Sequence, residues 1–528
     1  MRNHWFLWAV LSAVFLSVFW PAALYPLPGA EFIPPIGLFV GFVPLLWVER
    51  RTRSDRKGEG NIFLSAYVAF GLFNLLTTWW VAGAHWTGVL ATVLINGFLM
   101  ASAFSLFAWA ARRGGERMAF WVLPALWLCL EYLHSIWDIS FPWLDLGHGL
   151  ASAPWAVSWY AWTGPSGGTV WILAVNAAWS VSIRTKETSF WRRWHLPLVL
   201  MAAPVLLSLS VRPSPPEEAQ LSTKVAIVQP NLDPYGVKFS TPELLSTVDA
   251  LHAVGEAEVD WVVLPETFLH QGADEGSLNQ WPAVLRIQSN AKRHHRQFIV
   301  GAMTYSLVPE PTEASRPTGD GRQYEMYNSA LWIDSTGVRG IYHKSKLVAG
   351  SERMPFRRYL QPLIGEHSIA LGGTSGSLGT QKEREVFGDP SQGLQWAPLI
   401  CWEQDFSDYT TAFVQKNASI LAVLSNDGWW GNTPGHVQHL MYARLRAIET
   451  GLMVVRAANT GISAVIHNDG TIVDRLPWDK KGVILASVAD VRQEPTYYSR
   501  AGNYLGRMAL WMAPILLLGV WVKSKTKP

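Results

Sequence analysis

Eight long apolar stretches constrain the fold of this chain more than any other feature of its sequence. The hydrocarbon core of a bilayer is about 30 Å thick, and a helix needs about 20 mostly apolar residues to cross it. Such stretches occupy residues 5–25, 32–48, 62–82, 88–111, 118–137, 167–183, 196–211 and 505–522. The second and the last are short or interrupted by proline. The sequence therefore predicts a polytopic α-helical membrane domain, with about seven helices before residue 212 and one near the end of the chain.

Lys and Arg residues lie in every second loop between these stretches, whereas the loops near Pro28 and His85 and the loop at 142–164 carry none. Such residues concentrate on the cytoplasmic side of a membrane. We therefore expect a bacterial cell inner membrane protein with a cytoplasmic amino terminus and with the chain after residue 211 on the periplasmic side. The first stretch also fits a cleaved signal peptide, which would leave the remaining topology unchanged. The basic residues are Arg50, Arg51, Arg53, Arg56, Lys57, Arg112, Arg113, Arg117, Arg184, Lys186, Arg192, Arg193, Lys523, Lys525 and Lys527.

Composition narrows the class of protein further. Hydrophobic residues make up 49% of the chain and charged residues only 16%, as in a protein with a large membrane part. The net charge of +3 is too small to indicate a nucleic-acid partner. Cys129 lies in an apolar stretch, so we expect no disulfide between it and Cys401, the only other cysteine. Glu131 and His134 share a helix face in the same stretch, where such residues mark either a functional site or a structural pair.

After a proline-rich linker at 212–222, the pattern of the sequence changes. Short apolar runs that predict strands alternate with stretches that predict helices, which is typical of a layered α/β domain. The predicted strands are 224–229, 260–264, 298–303, 330–333, 340–342, 394–400, 420–424 and 453–457, and the predicted helices are 244–257, 283–294, 408–416 and 436–451. The predicted domains are a transmembrane bundle at 1–211, the linker, the α/β domain at 223–498, and a transmembrane helix with a cytoplasmic tail at 499–528.

Cys401 follows one of these predicted strands directly. The acidic residues within 403–408 indicate the first turns of a helix, and the positive end of a helix dipole favours a thiolate. A thiolate is the reactive form of cysteine, so Cys401 is a candidate covalent nucleophile. The alternative is that Cys401 is only a small buried hydrophobic residue.

Two further candidates follow other predicted strands. Pro265 cannot donate to a strand ladder, so we expect the strand at 260–264 to end there and Glu266 to project from its edge as a general base. Lys344 follows the strand at 340–342 and can stabilise the oxyanion of a reacting carbonyl. The alternatives are a glutamate in a surface turn and, because Lys346 lies nearby, a solvated basic edge.

A Glu, a Lys and a Cys in this order, each after a strand, resemble the nitrilase or carbon–nitrogen hydrolase superfamily. Several apolar stretches before such a domain and one after it resemble its membrane branch, the apolipoprotein N-acyltransferase family. The resemblance covers nearly the whole chain, and it implies an αββα sandwich for the nitrilase-like α/β domain. Further matching motifs are Phe141-Pro142-Trp143, Gln229-x-Asn231, Leu264-Pro265-Glu266, Tyr342-x-Lys344-x-x-Leu347-Val348, Cys401-Trp402-Glu403, Asn426-Asp427-x-Trp429-Trp430-Gly431, Arg446-Ala447-Ile448-Glu449 and Asn459-Thr460-Gly461.

The resemblance also implies roles for single residues. It makes Cys401 the nucleophile, Glu266 the general base and Lys344 the third catalytic residue. Five residues would support them or bind substrate: Glu352, Glu403, Trp402, Phe239 and Asn426. The chain departs from the family pattern at three places. Trp402 stands where Tyr is common, Phe239 stands near a common Trp, and Ala-Gly-Ser at 349–351 replaces Pro-Phe-Gly. These departures bear on lipid preference more than on the reaction.

The function that the resemblance implies is transfer of a fatty acyl group from phospholipid to lipoprotein. The expected donor is the sn-1 chain of phosphatidylethanolamine, and the acceptor is the α-amine of the N-terminal diacylglyceryl-cysteine of an apolipoprotein. The reaction would be ping-pong through a thioester and would complete bacterial lipoprotein maturation. We expect a monomer in contact with membrane lipids, without nucleic acid or cofactor. We also expect no metal, because His436 and His439 share a helix face without an obvious third ligand.

Two alternatives to this function stay open. One is a membrane-tethered amidase or nitrilase, which hydrolyses a carbon–nitrogen bond and passes its acyl group to water. The other is a transporter or lipid-binding module with an inactive domain, against which the presence of Glu266, Lys344 and Cys401 argues.

Overall fold

The computed structural model describes residues 4–53, 58–185, 189–217, 221–359, 377–391, 393–491 and 494–526. The chain divides into two compact units. We call Met1–Arg212, Thr433–Met441 and Ala501–Pro528 the helical unit, and Pro213–Asn432 with Tyr442–Arg500 the α/β unit. Four basic residues used above to predict orientation lie outside the described residues, namely Arg56, Lys57, Lys186 and Lys527.

The helical unit is built from apolar helices joined by short turns. A π-helical turn at Thr92–Asn96 joins two of them. The helices are α1 (His4–Val18), α2 (Val43–Thr52), α3 (Gly58–Thr78), α4 (Trp86–Ala91), α5 (Gly97–Gly114), α6 (Glu116–Ile136), α7 (Tyr160–Thr163), α8 (Pro165–Ser182), α9 (Phe190–Val211) and the C-terminal helix Tyr504–Thr526.

Six helical segments of the described chain are long and apolar enough to cross a membrane, which confirms the predicted membrane domain. The first predicted stretch was too long, because α1 has only 15 residues and the chain continues in turns around Pro21 and Pro26. The sixth stretch forms α8, an 18-residue helix outside this set of six. The six are Ala30–Thr52, Ile62–Gly83, Trp86–Gly114, Met118–Ile136, Phe190–Val211 and Tyr504–Thr526.

Glu131 and His134 on α6 bond to different neighbours. Glu131 Oε1 accepts a hydrogen bond from the backbone N–H of Leu146 at 2.8 Å, and its Oε2 accepts one from the Thr169 hydroxyl at 2.9 Å. His134 Nδ1 accepts one from the Trp137 indole at 2.7 Å. In the described part of the chain each residue therefore has its own structural partner, and the mutual pair considered from the sequence is not formed.

The segment Thr433–Met441 belongs to the helical unit although it lies far along the chain from the other helices. Its Gly435 packs on Trp80, where an added Cβ would lie 2.6 Å from the indole. Gln438 Oε1 accepts a hydrogen bond from Trp143 Nε1 at 2.7 Å. The Phe141-Pro142-Trp143 motif thus contacts a segment 295 residues further along the sequence.

The α/β unit contains two mixed sheets. The first has the strand order β12-β1-β2-β3-β5-β4, with β6 also paired to β5, and the second has the order β11-β10-β9-β8-β7. The strands are β1 (Thr223–Gln229), β2 (Trp261–Asp274), β3 (Gln297–Val308), β4 (Arg316–Pro317), β5 (Gln323–Asp334), β6 (Gly337–His343), β7 (Trp396–Ile400), β8 (Ile420–Ser425), β9 (Met453–Ala458), β10 (Ser463–Ile466), β11 (Ile472–Leu476) and β12 (Gly482–Val488).

Helices cover these sheets and complete the αββα layers, which confirms the predicted fold class. Leu251 and Ile287, from two different helices, are buried against the apolar side chains of β2 and β3. Between the sheets, the rings of Trp261 on β2 and Trp396 on β7 lie 5.2 Å apart. The helices are α10 (Val237–Ser240), α11 (Glu243–Val254), α12 (Pro282–His294), α13 (Ser407–Gln415), α14 (Pro434–Thr450), which begins in the helical unit, and α15 (Tyr497–Ala501).

The sheet topology gathers the polar strand ends that the sequence pointed to. Strands β1, β2 and β3 include parallel pairs, as do β7, β8 and β9. Chemistry in sheets of this kind is placed beyond the carboxyl ends of parallel strands. Cys401 follows β7, Asn426 follows β8 and Asn459 follows β9, so these three residues lie along one edge of the second sheet.

Two local predictions were wrong. The strand at β2 does not end at Pro265 but continues to Asp274. Pro265 instead interrupts the ladder, since pairing with β3 breaks off after Leu264 and resumes at Leu269. The helix after Cys401 does not begin at 403 either, because a 3₁₀ turn occupies Cys401–Asp405 and α13 begins at Ser407.

Candidate active site

Glu266 lies in β2 between Leu264 and Leu269, where the pairing with β3 is interrupted. The next residue, Thr267, has a φ of +47°, which is unusual for a β-branched residue. Gly301 on β3 lies against this bend, and a Cβ there would be 2.3 Å from the Pro265 carbonyl oxygen. The absence of a side chain at Gly301 thus leaves room for the irregular backbone that carries the buried Glu266.

Lys344 directly follows β6 and is almost completely buried. Its backbone N–H donates to the Asn328 carbonyl at 2.8 Å, which fixes the start of the side chain. Its Nζ lies 3.0 Å from Glu266 Oε1 and 2.8 Å from Glu352 Oε1. One buried ammonium therefore bridges two of the carboxylates that the sequence singled out.

Asn328 on β5 completes this cluster. Its Nδ2 donates to Glu266 Oε1 at 2.8 Å and to Glu352 Oε1 at 3.2 Å, so it contacts the same two oxygens as Lys344. The second oxygen of Glu352 accepts the backbone N–H of Val348 at 2.9 Å. Both carboxylates are held by donors on more than one side. Sequence reasoning missed Asn328, and the available signal was a polar Asn-Ser pair just before the apolar run of β5.

Cys401 stands at the point where β7 turns into the 3₁₀ turn. Its φ is +48°, an uncommon value for a residue other than glycine, and its side chain is 8% exposed. Burial, followed by the negative charge of Glu266, raises the pKa of the Cys401 thiol well above its ordinary value, and the opposing effect of Lys344 is smaller. The expected thiolate at a helix start is therefore wrong for the resting site, where the thiol is protonated.

The charge state of Lys344 is fixed by the same neighbours. Burial by itself would lower the pKa of the Lys344 ammonium. The charges of Glu266, Glu352 and Cys401 outweigh burial and raise that pKa well above its ordinary value. Lys344 thus carries a positive charge at physiological pH.

Glu403 is fully buried two residues after Cys401 and accepts hydrogen bonds from several sides. Its Oε2 accepts the backbone N–H of Ile400 at 2.9 Å. Its Oε1 accepts the backbone N–H of Ser345 and the hydroxyl of Tyr342, each at 2.7 Å, and the hydroxyl of Tyr409 at 2.8 Å. Glu403 therefore ties the turn that bears Cys401 to the segment that bears Lys344.

Two buried arginines support the same region, and sequence reasoning assigned no role to either. Arg446 on α14 donates to the carbonyls of Gln404 and Asp405, at 3.1 and 3.3 Å, in the turn after Cys401. Arg456 on β9 donates to Gln404 Oε1 at 2.9 Å and to Asp427 Oδ2 at 2.6 Å. These contacts hold the turns that follow β7 and β8.

The remaining predicted site residues lie at different depths. Asn426 is fully buried, and its Oδ1 accepts a hydrogen bond from Asn459 Nδ2 at 3.1 Å. Trp402 is buried edge-on to Phe406, with 6.0 Å between ring centroids. Phe239 is 54% exposed and lies edge-on to His270 at 5.6 Å. Asn426 and Trp402 are thus part of the protein framework, whereas Phe239 presents an apolar surface to its surroundings.

Comparison with known proteins adds independent information. Residues 224–496 match the family model described as Carbon-nitrogen hydrolase, and residues 21–178 match the model described as Apolipoprotein N-acyltransferase N-terminal domain. A curated apolipoprotein N-acyltransferase of Chlorobaculum tepidum is 26% identical, with 98% of this chain and 96% of that protein covered. One of Agrobacterium fabrum is 29% identical over 90% of each chain, and one of Azotobacter vinelandii is 28% identical over 94% of this chain and 92% of that protein.

Proposed function

The chain belongs to the carbon–nitrogen hydrolase family, as an N-acyltransferase of its membrane-embedded branch, and we propose that it moves a fatty acyl group from a phospholipid to the N-terminal cysteine of a lipoprotein. The donor in this proposal is the sn-1 chain of phosphatidylethanolamine. The acceptor is the α-amine of a diacylglyceryl-cysteine. The observation that carries the proposal is the buried contact of Lys344 Nζ with Glu266 Oε1, at 3.0 Å, beside the buried thiol of Cys401.

The first half of the proposed reaction makes an acyl-enzyme. Because the Cys401 thiol is protonated at rest, a base must remove its proton, and Glu266 is the carboxylate assigned to this step. The thiolate attacks the ester carbonyl, and the negative charge on the carbonyl oxygen is stabilised by the ammonium of Lys344. The tetrahedral intermediate then collapses, the ester C–O bond breaks, and Glu266 returns its proton to the leaving lysophospholipid oxygen.

The second half transfers the acyl group to an amine. The free α-amine of the lipoprotein cysteine attacks the thioester, and Glu266 accepts a proton from the attacking nitrogen. Lys344 again stabilises the oxyanion while the C–S bond breaks, and the leaving Cys401 thiolate takes the proton back from Glu266. The products are an amide and the starting enzyme, so donor and acceptor use the site in turn, as in ping-pong kinetics.

The membrane helices give this reaction a physical setting. Both proposed substrates are held in the bilayer by acyl chains, and each buried CH₂ group contributes about 0.8 kcal/mol to that anchoring. An enzyme that is itself anchored by apolar helices can take up these substrates without extracting them into water. The distribution of Lys and Arg supports a bacterial inner membrane location, with the α/β domain on the periplasmic side.

The test uses the full-length protein in phospholipid–detergent micelles. Phosphatidylethanolamine labelled in its sn-1 chain should give a hydroxylamine-sensitive label on Cys401, and a diacylated lipopeptide should then receive the label as an amide. Cys401→Ser should lose the thioester, whereas Cys129→Ser, which removes the other thiol, should retain it. A labelled thioester on Cys401→Ser would refute the assignment of the nucleophile. Release of free fatty acid with no labelled lipopeptide would favour the amidase or nitrilase alternative, in which water is the acceptor.

A further inference from the structure

A second buried lysine lies beside the general base assigned above, and the reaction as described does not use it. Lys238, on the short helix α10, is 1% exposed. Its Nζ donates to the Thr267 hydroxyl at 2.6 Å and to the backbone carbonyl of Glu266 at 3.2 Å. A buried ammonium is costly unless hydrogen bonds and negative charges compensate it, so its presence here requires a reason.

The bonds of Lys238 are made to the first of two irregular parts of β2, the one between Leu264 and Leu269. In that part the ladder to β3 is interrupted, and Thr267 has a left-handed φ of +47°. Such a conformation is strained and persists only where the surroundings enforce it. Gly301 packs against the backbone of this bend. The ammonium of Lys238 donates hydrogen bonds to the Glu266 carbonyl and to the Thr267 hydroxyl in the bend. The direction of the Glu266 side chain depends on this bend.

The charge of Lys238 also acts on the reacting groups. Burial lowers the pKa of the Lys238 ammonium to about 8, although the charges of Glu266 and Cys401 oppose the shift. His270, which packs on the neighbouring Phe239, also faces Lys238, and its pKa is lowered by burial and by that positive charge. Attraction is mutual, so a protonated Lys238 favours the thiolate of Cys401, although to a smaller extent than Lys344, whose charge opposes the raised pKa of the thiol more strongly. Lys344, Glu352 and Asp427 also act on Cys401, and a test must leave them unchanged.

We propose that Lys238 is a positioning residue that holds the Glu266–Thr267 bend and supplies a second positive charge to the nucleophile. In this proposal Lys238 contacts neither the leaving group nor the reacting carbonyl of the substrate. It acts through the backbone of Glu266 and through its charge. The inference builds on the proposed roles of Glu266 and Cys401, but not on the identity of the acyl donor or acceptor.

The first experiment measures alkylation of Cys401 by iodoacetamide from pH 6.5 to 9.5, read by mass spectrometry of the Cys401 peptide. This assay needs no lipid substrate, so its result does not depend on whether the proposed acyl transfer is correct. A change of one unit in the thiol pKa alters the thiolate fraction about tenfold, so we expect Lys238→Met to react about tenfold more slowly than wild type at pH 7. The difference should shrink above pH 8, where wild-type Lys238 loses its proton. Lys238→Arg, which keeps the charge, should restore most of the rate.

Equal rates for wild type and Lys238→Met at pH 7, or a ratio that stays constant over the whole pH range, would overturn the role of the charge.

A second pair of variants tests the hydrogen bond without removing the lysine. Thr267→Ser keeps the hydroxyl that accepts from Nζ, and Thr267→Ala deletes it. In the labelled-phospholipid assay, Thr267→Ala should slow acyl-enzyme formation about tenfold, as loss of supporting contacts around a reactive group commonly does, and Thr267→Ser should stay near wild type. Equal rates for these two variants would contradict the positioning role.

Discussion

The Oε1 atom of Glu403 lies 2.7 Å from the hydroxyl of Tyr342, and this contact links the turn that begins at Cys401 with the end of β6. Lys344 follows Tyr342 by two residues. The spacing between the ammonium of Lys344 and the thiol of Cys401 therefore depends on the fully buried carboxylate of Glu403.

Replacing Glu403 should disturb this link more than replacing either tyrosine. Glu403→Gln puts an amide group where the carboxylate accepts backbone N–H groups, so at least one buried donor loses its acceptor. We expect acyl-enzyme formation to fall by at least about a hundredfold, the range seen when a catalytic donor is lost. Tyr409→Phe removes one hydrogen bond, worth about 1 kcal/mol, and serves as the milder control. The rate of thioester formation measures both, and a Glu403→Gln rate equal to that of Tyr409→Phe would contradict the argument.

Lys344 and Lys346 should differ sharply when each is replaced by methionine. Only Lys344 contacts Glu266 and Glu352, whereas the Lys346 ammonium lies 4.5 Å from the Phe406 ring centroid. Loss of an oxyanion donor costs about 10²–10³ in rate, so Lys344→Met should fall by that factor. Lys346→Met should remain within a few-fold of wild type. Comparable losses in the labelled-phospholipid assay would show that the chemistry cannot be assigned to one lysine.

Asn328→Asp should impair the site more than Asn328→Ala. The aspartate would place a third carboxyl group against the two oxygens that Asn328 now binds. Negative charges at such distances repel one another, so the aspartate would disturb the positions in which Asn328 and Lys344 hold Glu266 and Glu352. We therefore expect the rate of thioester formation in the labelled-phospholipid assay to fall further in Asn328→Asp than in Asn328→Ala, which only removes the two hydrogen bonds. Equal rates for the two variants would contradict this argument.

Alkylation of wild-type Cys401 should rise steadily with pH. Because the pKa of the thiol is raised, the group is protonated at neutral pH, and the thiolate fraction increases about tenfold for each pH unit below that pKa. The iodoacetamide rate should consequently show no plateau up to about pH 7.5, the range in which Lys238 also keeps its proton. A plateau reached by pH 7 would mean that the resting site already contains the thiolate.

Gly301→Ala should destabilise the α/β unit. An added Cβ would lie 2.3 Å from the Pro265 carbonyl oxygen and 2.6 Å from Glu266 Cα, both backbone atoms that cannot move independently. Overpacking of this kind costs about 1–3 kcal/mol. Gly276→Ala is the matched control, since its nearest neighbour would be a side-chain oxygen at 3.6 Å. Thermal unfolding of the purified full-length protein should separate the two variants, and equal melting temperatures would contradict the proposed fit.

Much of this architecture was accessible from the sequence because apolar patterns report burial directly. The hairpin expected from 330–333 and 340–342 is formed by β5 and β6, and the apolar run before Cys401 is β7. The boundaries were harder to predict. Proline at 265 was expected to end a strand, but the chain bulges there and pairs again after four residues. A proline removes one donor without deciding what the following residues do.

The site could be predicted only as far as residue types reveal it. Glu266 and Lys344 are residue types whose ionisable side chains suggest a catalytic role, and the structure brings them into contact. Asn328 and Lys238 do not stand out, since an asparagine in a strand and a lysine in a short helix are common. Their importance depends on burial and on partners that are distant in the sequence. The partner Glu266 is 62 residues from Asn328 and 28 residues from Lys238. No local sequence pattern encodes such contacts.

The left-handed backbone at position 401 makes some replacements of the nucleophile more costly than others. A φ of +48° is uncommon for any residue with a Cβ and least favourable for a β-branched one, so threonine at 401 would add to a backbone strain of about 1–3 kcal/mol. The chain tolerates a threonine in this conformation at position 267, where the Lys238 ammonium binds its hydroxyl. A threonine nucleophile at 401 would therefore need comparable stabilising contacts around the turn, which serine would need to a smaller degree.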